Sequence, residues 1–211
     1  MRTLLFREFV KNKISKKRAE TLAEKFKGAE FIGRGRHSVV IKQNKKAIKI
    51  EKDIPSAEKS IEREAYFLKI LNKYNIGSKL RDYSKVHRYV RYDFIKGDFL
   101  IDFLKKEDNE RKKLSAIRTC FEKAFTLDLL RINKEEFHRP LKHIIIGKQV
   151  KFIDFERCKY TKQPKNVSQL ISFFFKTDAY NRQIRKYKKK ISRKNFDMLM
   201  KTLELNKVPL F

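Results

Sequence analysis

Apolar residues in the first part of the chain recur at helical spacing and then at strand spacing. Over residues 1–27 they return mostly at three- and four-residue steps, which predicts an amphipathic helix that stops at Gly28. This apolar set is Ile14, Ala19, Leu22, Ala23 and Phe26. Over residues 29–51, β-branched runs surround a glycine pair and a polar turn at residues 43–46, which indicates a strand, a hairpin and a further strand.

A second helical pattern covers residues 55–74, with Pro55 near its start. Its apolar stripe is Ile61, Ala65, Leu68 and Leu71. The next segment, "KLRDYSKVHRYVRYDFI", predicts two more short strands.

Beyond Gly97 the pattern becomes mainly helical. Residues 98–106 and about 109–130 are predicted helices, and "HIIIGKQVKFIDF" predicts a hairpin around Gly147. The basic run at residues 182–194 is either a solvated helix face or a phosphate-binding patch. This order predicts an α+β fold: a helical extension at 1–28, a β-rich lobe with one helix at 29–96, and an α-rich lobe with basic C-terminal helices at 97–211.

Charge is the strongest signal in the composition. Lys and Arg number 54 against 25 Asp and Glu, a net charge of +29 over 211 residues, while 41% apolar residues argue against a disordered chain. A thermophile-like surface accounts for 37% charged residues but not for an excess of one sign. We therefore expect a phosphate-rich partner such as RNA or a ribonucleoprotein.

The cysteines and the apolar runs bear on the compartment. Cys120 and Cys158 form no CxxC pair and are predicted to be buried thiols. With no recognisable signal peptide, they favour a cytoplasmic location. No apolar run approaches the roughly 20 residues of a membrane span, so no membrane partner is expected.

Four features in a fixed order carry candidate chemistry. "IGRGRHSVV" puts small residues where backbone N–H groups approach phosphate oxygens, although a tight hairpin explains it equally. Lys49 lies in the next strand among aliphatic residues. Glu64 falls on the apolar stripe of the 55–74 helix, where a carboxylate needs a cation, and Lys49 is the obvious candidate. The alternatives are that Glu64 is a boundary residue reaching solvent, or that Glu58 or Glu62, which fall off the stripe, takes this role. Asp154 ends an apolar strand and suits Mg²⁺ coordination.

Together these features resemble the protein kinase superfamily, and the compact length is closest to small atypical kinases of the RIO type. The resemblance implies a two-lobed kinase-like fold and an ATP site. Its glycine-loop residues are Ile32, Gly33, Arg34, Gly35, Arg36, His37, Ser38, Val39 and Val40. The other implied nucleotide-binding residues are Ala47, Lys49, Glu64 and the hinge residues Asp93, Phe94 and Ile95. "DFE" from Asp154 resembles the metal-binding DFG motif, and the "IDFE" ending also occurs in choline-kinase-like enzymes.

The catalytic loop of that family, H-R-D-L-K-x-x-N, aligns here with the segment that begins at His138. In this alignment Pro140 replaces the proton-accepting aspartate and Ile145 replaces the second metal ligand, while Lys142 is retained. Neither replacement can perform the lost role, which lowers the expectation of catalysis without excluding it.

Several residues are candidates to replace the lost groups. For the missing acid or base they are Glu136 or Glu135, and His138 or His143. For the missing metal ligand they are Asn166, which is alternatively a helix N-cap, and Glu156.

Three functions compete. The first is an atypical Ser/Thr kinase-like phosphotransferase or ATPase that uses ATP and Mg²⁺. The second is a pseudokinase that acts as an ATP-gated module for binding RNA or a ribonucleoprotein. The third is a plain RNA-binding protein, which ranks last because no known RNA-binding motif is present.

Overall fold

The computed structural model describes residues 3–175 and 180–203; the parts of the predicted extension and C-terminal lobe at 1–2, 176–179 and 204–211 lie outside the described residues. The chain is α+β and forms two compact units, one ending at Ile95 and the other beginning at Lys96. The helices are α1 Leu4–Lys11, α2 Lys16–Lys25, α3 Ser60–Leu71, α4 Leu100–Lys106, α5 Glu110–Leu129, α6 Asn166–Phe174, α7 Asn181–Lys189 and α8 Arg193–Thr202. Among the described residues, no helix has the length and apolar character needed to cross a bilayer.

The first unit is built on a five-stranded antiparallel sheet in the order β1-β2-β3-β5-β4. Its strands are β1 Glu30–Arg34, β2 Ser38–Gln43, β3 Lys46–Glu51, β4 Leu80–Ser84 and β5 Tyr89–Asp93. The strands and the turn at 43–46 confirm the alternation in the sequence. In the register, Lys49 lies opposite Val40 on β2 and Val90 on β5, at the centre of the sheet.

The N-terminal segment packs against this sheet. Phe9, Leu22 and Phe26 are buried in one core with sheet residues such as Val39 and Ile48. Burial of each such side chain contributes about 1.5–3 kcal/mol, so the segment is part of the core of the first unit.

The prediction of a single N-terminal helix is wrong. Asn12 and Lys13 separate α1 from α2: the Asn12 side chain donates to the Glu8 carbonyl at 2.8 Å, and Lys13 has a left-handed φ of 63°. The helical periodicity was sound, but the break occurs without glycine or proline.

The helix predicted over residues 55–74 is also shorter than expected. Residues Pro55–Ala57 and Asn72–Tyr74 are 3₁₀ turns, and only Ser60–Leu71 is α-helical. Lys59 precedes the helix with a left-handed φ of 61°, which separates the first turn from α3. The apolar stripe is buried as predicted.

The second unit contains two small sheets in addition to its helices. β6 Gly97–Phe99 pairs with β8 Ile144–Gly147, which pairs with β9 Val150–Phe152; β7 Ile132–Asn133 pairs with β10 Lys159–Tyr160. The β8–β9 hairpin confirms the sequence prediction, while β6, β7 and β10 are too short to be recognised by alternation. Gly97 faces Gly147 across the pair so closely that a Cβ on either would lie within 2.5 Å of a backbone oxygen.

The basic run at 182–194 is divided between α7, a short connection and the start of α8. Ile184 and Tyr187 of α7 are buried, and most of its cationic side chains are exposed. Both cysteines are buried free thiols, as expected, and burial raises the pKa of Cys120 to about 12. They therefore behave as small apolar residues.

Candidate functional site

The first unit holds the predicted lysine–glutamate pair. Lys49 Nζ on β3 lies 2.6 Å from Glu64 Oε2 on α3, and the two side chains are only 7% and 2% exposed. The structure thus pairs Glu64, which lies on the apolar stripe of α3, with Lys49, as predicted. A buried ion pair with one partner removed typically costs 3–5 kcal/mol, so each charge depends on the other.

The predicted phosphate loop connects β1 to β2 through Gly35, Arg36 and His37. Gly35 N–H donates to the Ser38 carbonyl at 2.8 Å, which closes the turn. Lys52, which the sequence argument missed, donates from Nζ to the Gly35 carbonyl at 2.6 Å, and its N–H donates to the His37 carbonyl at 2.9 Å. Burial, with Lys13 and Arg34 nearby, lowers the pKa of Lys52. Lys52 therefore holds the loop through hydrogen bonds to two of its carbonyl groups.

The two loop glycines are not required by the fold of the first unit. A Cβ built on Gly33 would meet no atom within 4 Å, and one on Gly35 would meet only Ser38 atoms at 3.7 and 3.8 Å. Neither residue has the left-handed φ that favours glycine. Open space above a glycine backbone suits close approach of a ligand.

We expect the double variant Gly33→Ala/Gly35→Ala to lose Mg-ATP affinity by about tenfold or more, equivalent to roughly 1.4 kcal/mol. The added methyl groups would occupy the open space that the predicted phosphate contact needs, while the thermal midpoint should barely change. Titration calorimetry and thermal melting measure the two quantities separately.

Gly28→Ala is the matched control for that pair. Gly28 has a φ of 79° and no atom near its Cβ position. Alanine at this position would strain the backbone, but at a site outside the loop. It should lower the melting temperature and leave ATP affinity unchanged. Full ATP affinity in the loop variant would contradict the nucleotide assignment of the glycines.

The predicted hinge residues carry structural interactions. Asp93 accepts hydrogen bonds from Arg81 at 2.8 and 2.7 Å and also pairs with Lys46. The Arg81 hydrogen bonds, with help from Lys46, lower the pKa of Asp93 to about 2. Phe94 N–H donates to the Lys45 carbonyl at 2.9 Å. The Asp93 carboxylate thus already has two cationic partners within its own unit.

In the second unit, the candidate functional side chains lie in and around the loop between β7 and β8, residues 134–143. Lys134 is fully buried, and its Nζ donates to Glu136 Oε2 at 3.1 Å and to the backbone oxygen of Asp154. The same ammonium group lies 5.2 Å from the centre of the Phe155 ring. One buried cation therefore ties the Glu136 carboxylate to the segment that carries Asp154.

Asp154 has features of a functional acid. Its φ is 66°, a left-handed conformation that non-glycine residues rarely adopt and that clusters at functional sites. Its side chain is 32% exposed, and Oδ2 lies 3.9 Å from His143 Nδ1.

The residues around Asp154 fit a hard divalent cation. Carboxylate oxygens of Asp154 and Glu156 lie within 4.8 Å of each other, and such oxygens are the ligands that Mg²⁺ prefers. Asp154 supplies an accessible carboxylate and Glu156 a buried one.

The other predicted catalytic residues lie elsewhere in the 134–143 loop. His138 is exposed, with Nδ1 2.7 Å from the Glu135 carbonyl oxygen, and Lys142 is also exposed. Pro140 is buried in a 3₁₀ turn, and Ile145 lies within β8. The alignment that begins at His138 stays a prediction. The carboxylate that is joined to the Asp154 backbone through Lys134 belongs to Glu136, four residues before Pro140.

Asn166 is a structural brace in this arrangement. Its Oδ1 accepts from Lys134 N–H at 2.8 Å, and its Nδ2 donates to Asp128 Oδ1 and to the Ile132 carbonyl, both at 2.7 Å. The N-cap alternative is wrong, because Lys165 precedes α6 and Asn166 is its first residue. The geometry gives no support to Asn166 as a metal ligand, because both side-chain atoms hold the loop in place.

Asp128 anchors this brace from α5, and the sequence argument missed it. It is fully buried and accepts hydrogen bonds from Asn166 N–H, Val167 N–H and the Tyr187 hydroxyl. Burial raises the pKa of Asp128, and burial together with the Asp128 charge raises that of Tyr187. The sequence signal that could have identified Asp128 is an acidic residue within the apolar run "LDLL".

The sequence matches no protein-family model, and no curated protein matches it at a significant level. The resemblance to kinases therefore rests on the order of the sequence motifs alone.

Proposed function

We propose that this protein is an atypical kinase-like phosphotransferase that uses ATP and Mg²⁺, with Glu136 in the role of the missing catalytic aspartate. The observation that carries the proposal is the buried Lys134, which joins Glu136 to the backbone of Asp154. Glu136 is 6% exposed, and its carboxylate shares the Lys134 ammonium with the backbone oxygen of Asp154 rather than lying free in solvent. A two-lobed kinase-like arrangement is part of this proposal.

Each unit supplies a different part of the chemistry. In the first unit, the glycine loop and Lys49 hold phosphate oxygens, and Glu64 keeps the Lys49 ammonium in position at 2.6 Å. In the second unit, Asp154 with Glu156 would hold Mg²⁺, and Glu136 accepts the proton of the acceptor hydroxyl. Bound Mg²⁺ would neutralise phosphate charge, which dominates catalysis of phosphoryl transfer. By resemblance, the default acceptor is a serine or threonine of a protein.

A second candidate is an ATP-gated module that binds RNA or a ribonucleoprotein without turnover. The observation that favours it is the exposed basic face of α7, within a chain of net charge +29. It predicts nucleotide binding with no release or transfer of phosphate. Both functions fit the cytoplasm, because both cysteines are free thiols.

Turnover of Mg-ATP by the Lys49→Arg variant tests the proposal. Arginine keeps the positive charge beside Glu64, so the first unit should fold, but its planar fork replaces a compact ammonium group. We expect release or transfer of labelled γ-phosphate to fall by about tenfold or more, the equivalent of roughly 1.4 kcal/mol.

Lys45→Arg is the matched control, since Lys45 is exposed in the β2–β3 turn. It should retain the turnover of the unaltered protein. Equal turnover in both variants would remove Lys49 from the mechanism.

A further inference from the structure

A cavity of about 490 Å³ lies wholly within the second unit. Its walls come from the segment that enters α6, from α6 and α7 themselves, and from the turn that ends at His138. Pockets of roughly 300–1,000 Å³ accommodate small ligands. The cavity is therefore large enough for a compact organic molecule or for one unit of a longer polymer.

The charged residues that line this cavity are basic. Lys165, Lys188 and His138 line it, and none of the lining residues that the structure describes is acidic. Lys165 and Lys188 are exposed and form no ion pair with any residue that the structure describes. An anion entering the cavity would therefore meet two lysines that no carboxylate of the described residues pairs with.

The neighbouring acids do not cancel that charge. Glu135 Oε1 lies 2.7 Å from Lys159 Nζ, and Glu136 Oε2 lies 3.1 Å from Lys134 Nζ. Each carboxylate of the adjoining turn thus already has its own cation. Among the described residues the lining of the cavity is therefore positively charged, which favours a phosphate group over a neutral ligand.

The cavity also offers hydrogen-bond acceptors. The Ser168 and Ser172 hydroxyls donate to backbone oxygens at 3.1 and 2.9 Å, which leaves their oxygen lone pairs as acceptors. Gln169 lines the same space, and its carboxamide oxygen accepts no hydrogen bond from the described residues. These oxygens suit ligand hydroxyl groups, so the favoured ligand carries both phosphate and hydroxyls.

The position of the cavity connects it to the proposed chemistry. His138 belongs to the same 3₁₀ turn as Glu136, two residues further along the chain. We propose that the cavity is the acceptor subsite and that it binds a phosphorylated sugar, either free or as a ribose phosphate unit of RNA. This inference rests on the proposed function, and it changes the acceptor from a protein hydroxyl to a sugar hydroxyl.

The transfer that follows is balanced. The sugar hydroxyl oxygen forms a bond to the γ-phosphorus of ATP, and the bond from that phosphorus to the β–γ bridging oxygen breaks. ADP leaves, and the hydroxyl proton passes to the Glu136 carboxylate. The phosphate already present on the sugar stays bound by Lys165 and Lys188 and takes no part in the reaction.

Equilibrium binding of ribose 5-phosphate to the full chain, in the presence of a saturating non-hydrolysable ATP analogue, tests the subsite. The double variant Lys165→Gln/Lys188→Gln removes both lining charges from exposed positions, so folding should be unaffected. We expect its affinity for ribose 5-phosphate to fall about tenfold or more. The matched control is Lys194→Gln/Lys201→Gln, which removes two exposed lysines of α8 and should bind as the unaltered protein does.

A single-stranded RNA oligonucleotide and inorganic phosphate form the other arms. If only RNA binding depends on Lys165 and Lys188, the sugar phosphate comes from RNA; if ribose 5-phosphate binding also depends on them, a free sugar phosphate suffices. Equal binding by both double variants in the ribose 5-phosphate and RNA arms would overturn the subsite. Dependence on inorganic phosphate alone would overturn the sugar assignment.

These binding results separate this inference from the proposed function. Charge-dependent binding of ribose 5-phosphate without any phosphoryl transfer would keep the subsite and reject the phosphotransferase. Transfer to a protein hydroxyl at the same rate in both double variants would keep the phosphotransferase and reject the subsite.

Discussion

Replacing Asp154 with asparagine should lower transfer of the γ-phosphate from Mg-ATP by about a hundredfold or more, because charge stabilisation at the reacting phosphate is lost. The amide is nearly the same size as the carboxylate, but it carries no charge with which to hold Mg²⁺. Because the Asp154 backbone oxygen, not its side chain, accepts from Lys134, the 134–143 loop should keep its structure. Single-turnover measurement with labelled ATP gives the rate, and circular dichroism gives the fold.

Asp108→Asn is the control for this substitution. Asp108 is exposed between α4 and α5, so removing its charge changes the net charge equally and should leave transfer unchanged. Full activity of the Asp154 variant would show that the metal-binding acid has been misassigned.

Replacing Glu136 with glutamine should reduce transfer by about a hundredfold, the lower end of what a positioned general base contributes. The amide oxygen of glutamine can still accept from Lys134, so the buried cation keeps a partner. Since Glu136 has no proposed role in holding nucleotide, ATP affinity should stay the same. Paired measurements of transfer rate and of ATP binding distinguish a lost base from a lost site.

Glu135→Gln is the neighbouring control. The Lys159 hydrogen bond lowers the pKa of Glu135, which weakens this carboxylate as a proton acceptor. We expect near-normal transfer from this variant. Loss of transfer in Glu135→Gln with full activity in Glu136→Gln would exchange their roles.

The chemistry of the first unit could be predicted from the sequence because it depends on local periodicity. Glu64 falls on the apolar stripe of α3, and Lys49 is flanked by aliphatic residues in β3, so each charge was predicted either to reach solvent or to find an opposite charge. A buried cation and a buried anion in consecutive elements need each other. The 2.6 Å separation confirms this prediction.

The second unit could be predicted only in part. Asp154 follows the β9 strand as expected, while the alignment of the catalytic loop at His138 and Arg139 stays a prediction. The link between Glu136 and Asp154 depends on Lys134, one of 54 basic residues, and on the pairing of the two-residue strands β7 and β10. Neither the choice of Lys134 nor this strand pairing leaves a periodic pattern in the sequence. Both depend on contacts between residues that are far apart along the chain.

The break between α1 and α2 shows a similar limit. Asn12 and Lys13 turn the chain through a side-chain hydrogen bond and a left-handed backbone, without the glycine or proline that usually marks such a point. The apolar positions on both sides still meet one core. Periodicity therefore identified the buried face correctly and the helix boundary incorrectly.

The most direct test of the central claim is transfer or release of labelled γ-phosphate from Mg-ATP by the unaltered protein, with the Asp154→Asn variant and a chelator alongside. The phosphotransferase predicts a signal that depends on the divalent cation and disappears in the variant. Tight binding of Mg-ATP with neither transfer nor release, even when RNA, ribose 5-phosphate and cell protein are supplied as acceptors, would contradict it and favour the nucleotide-gated binding module.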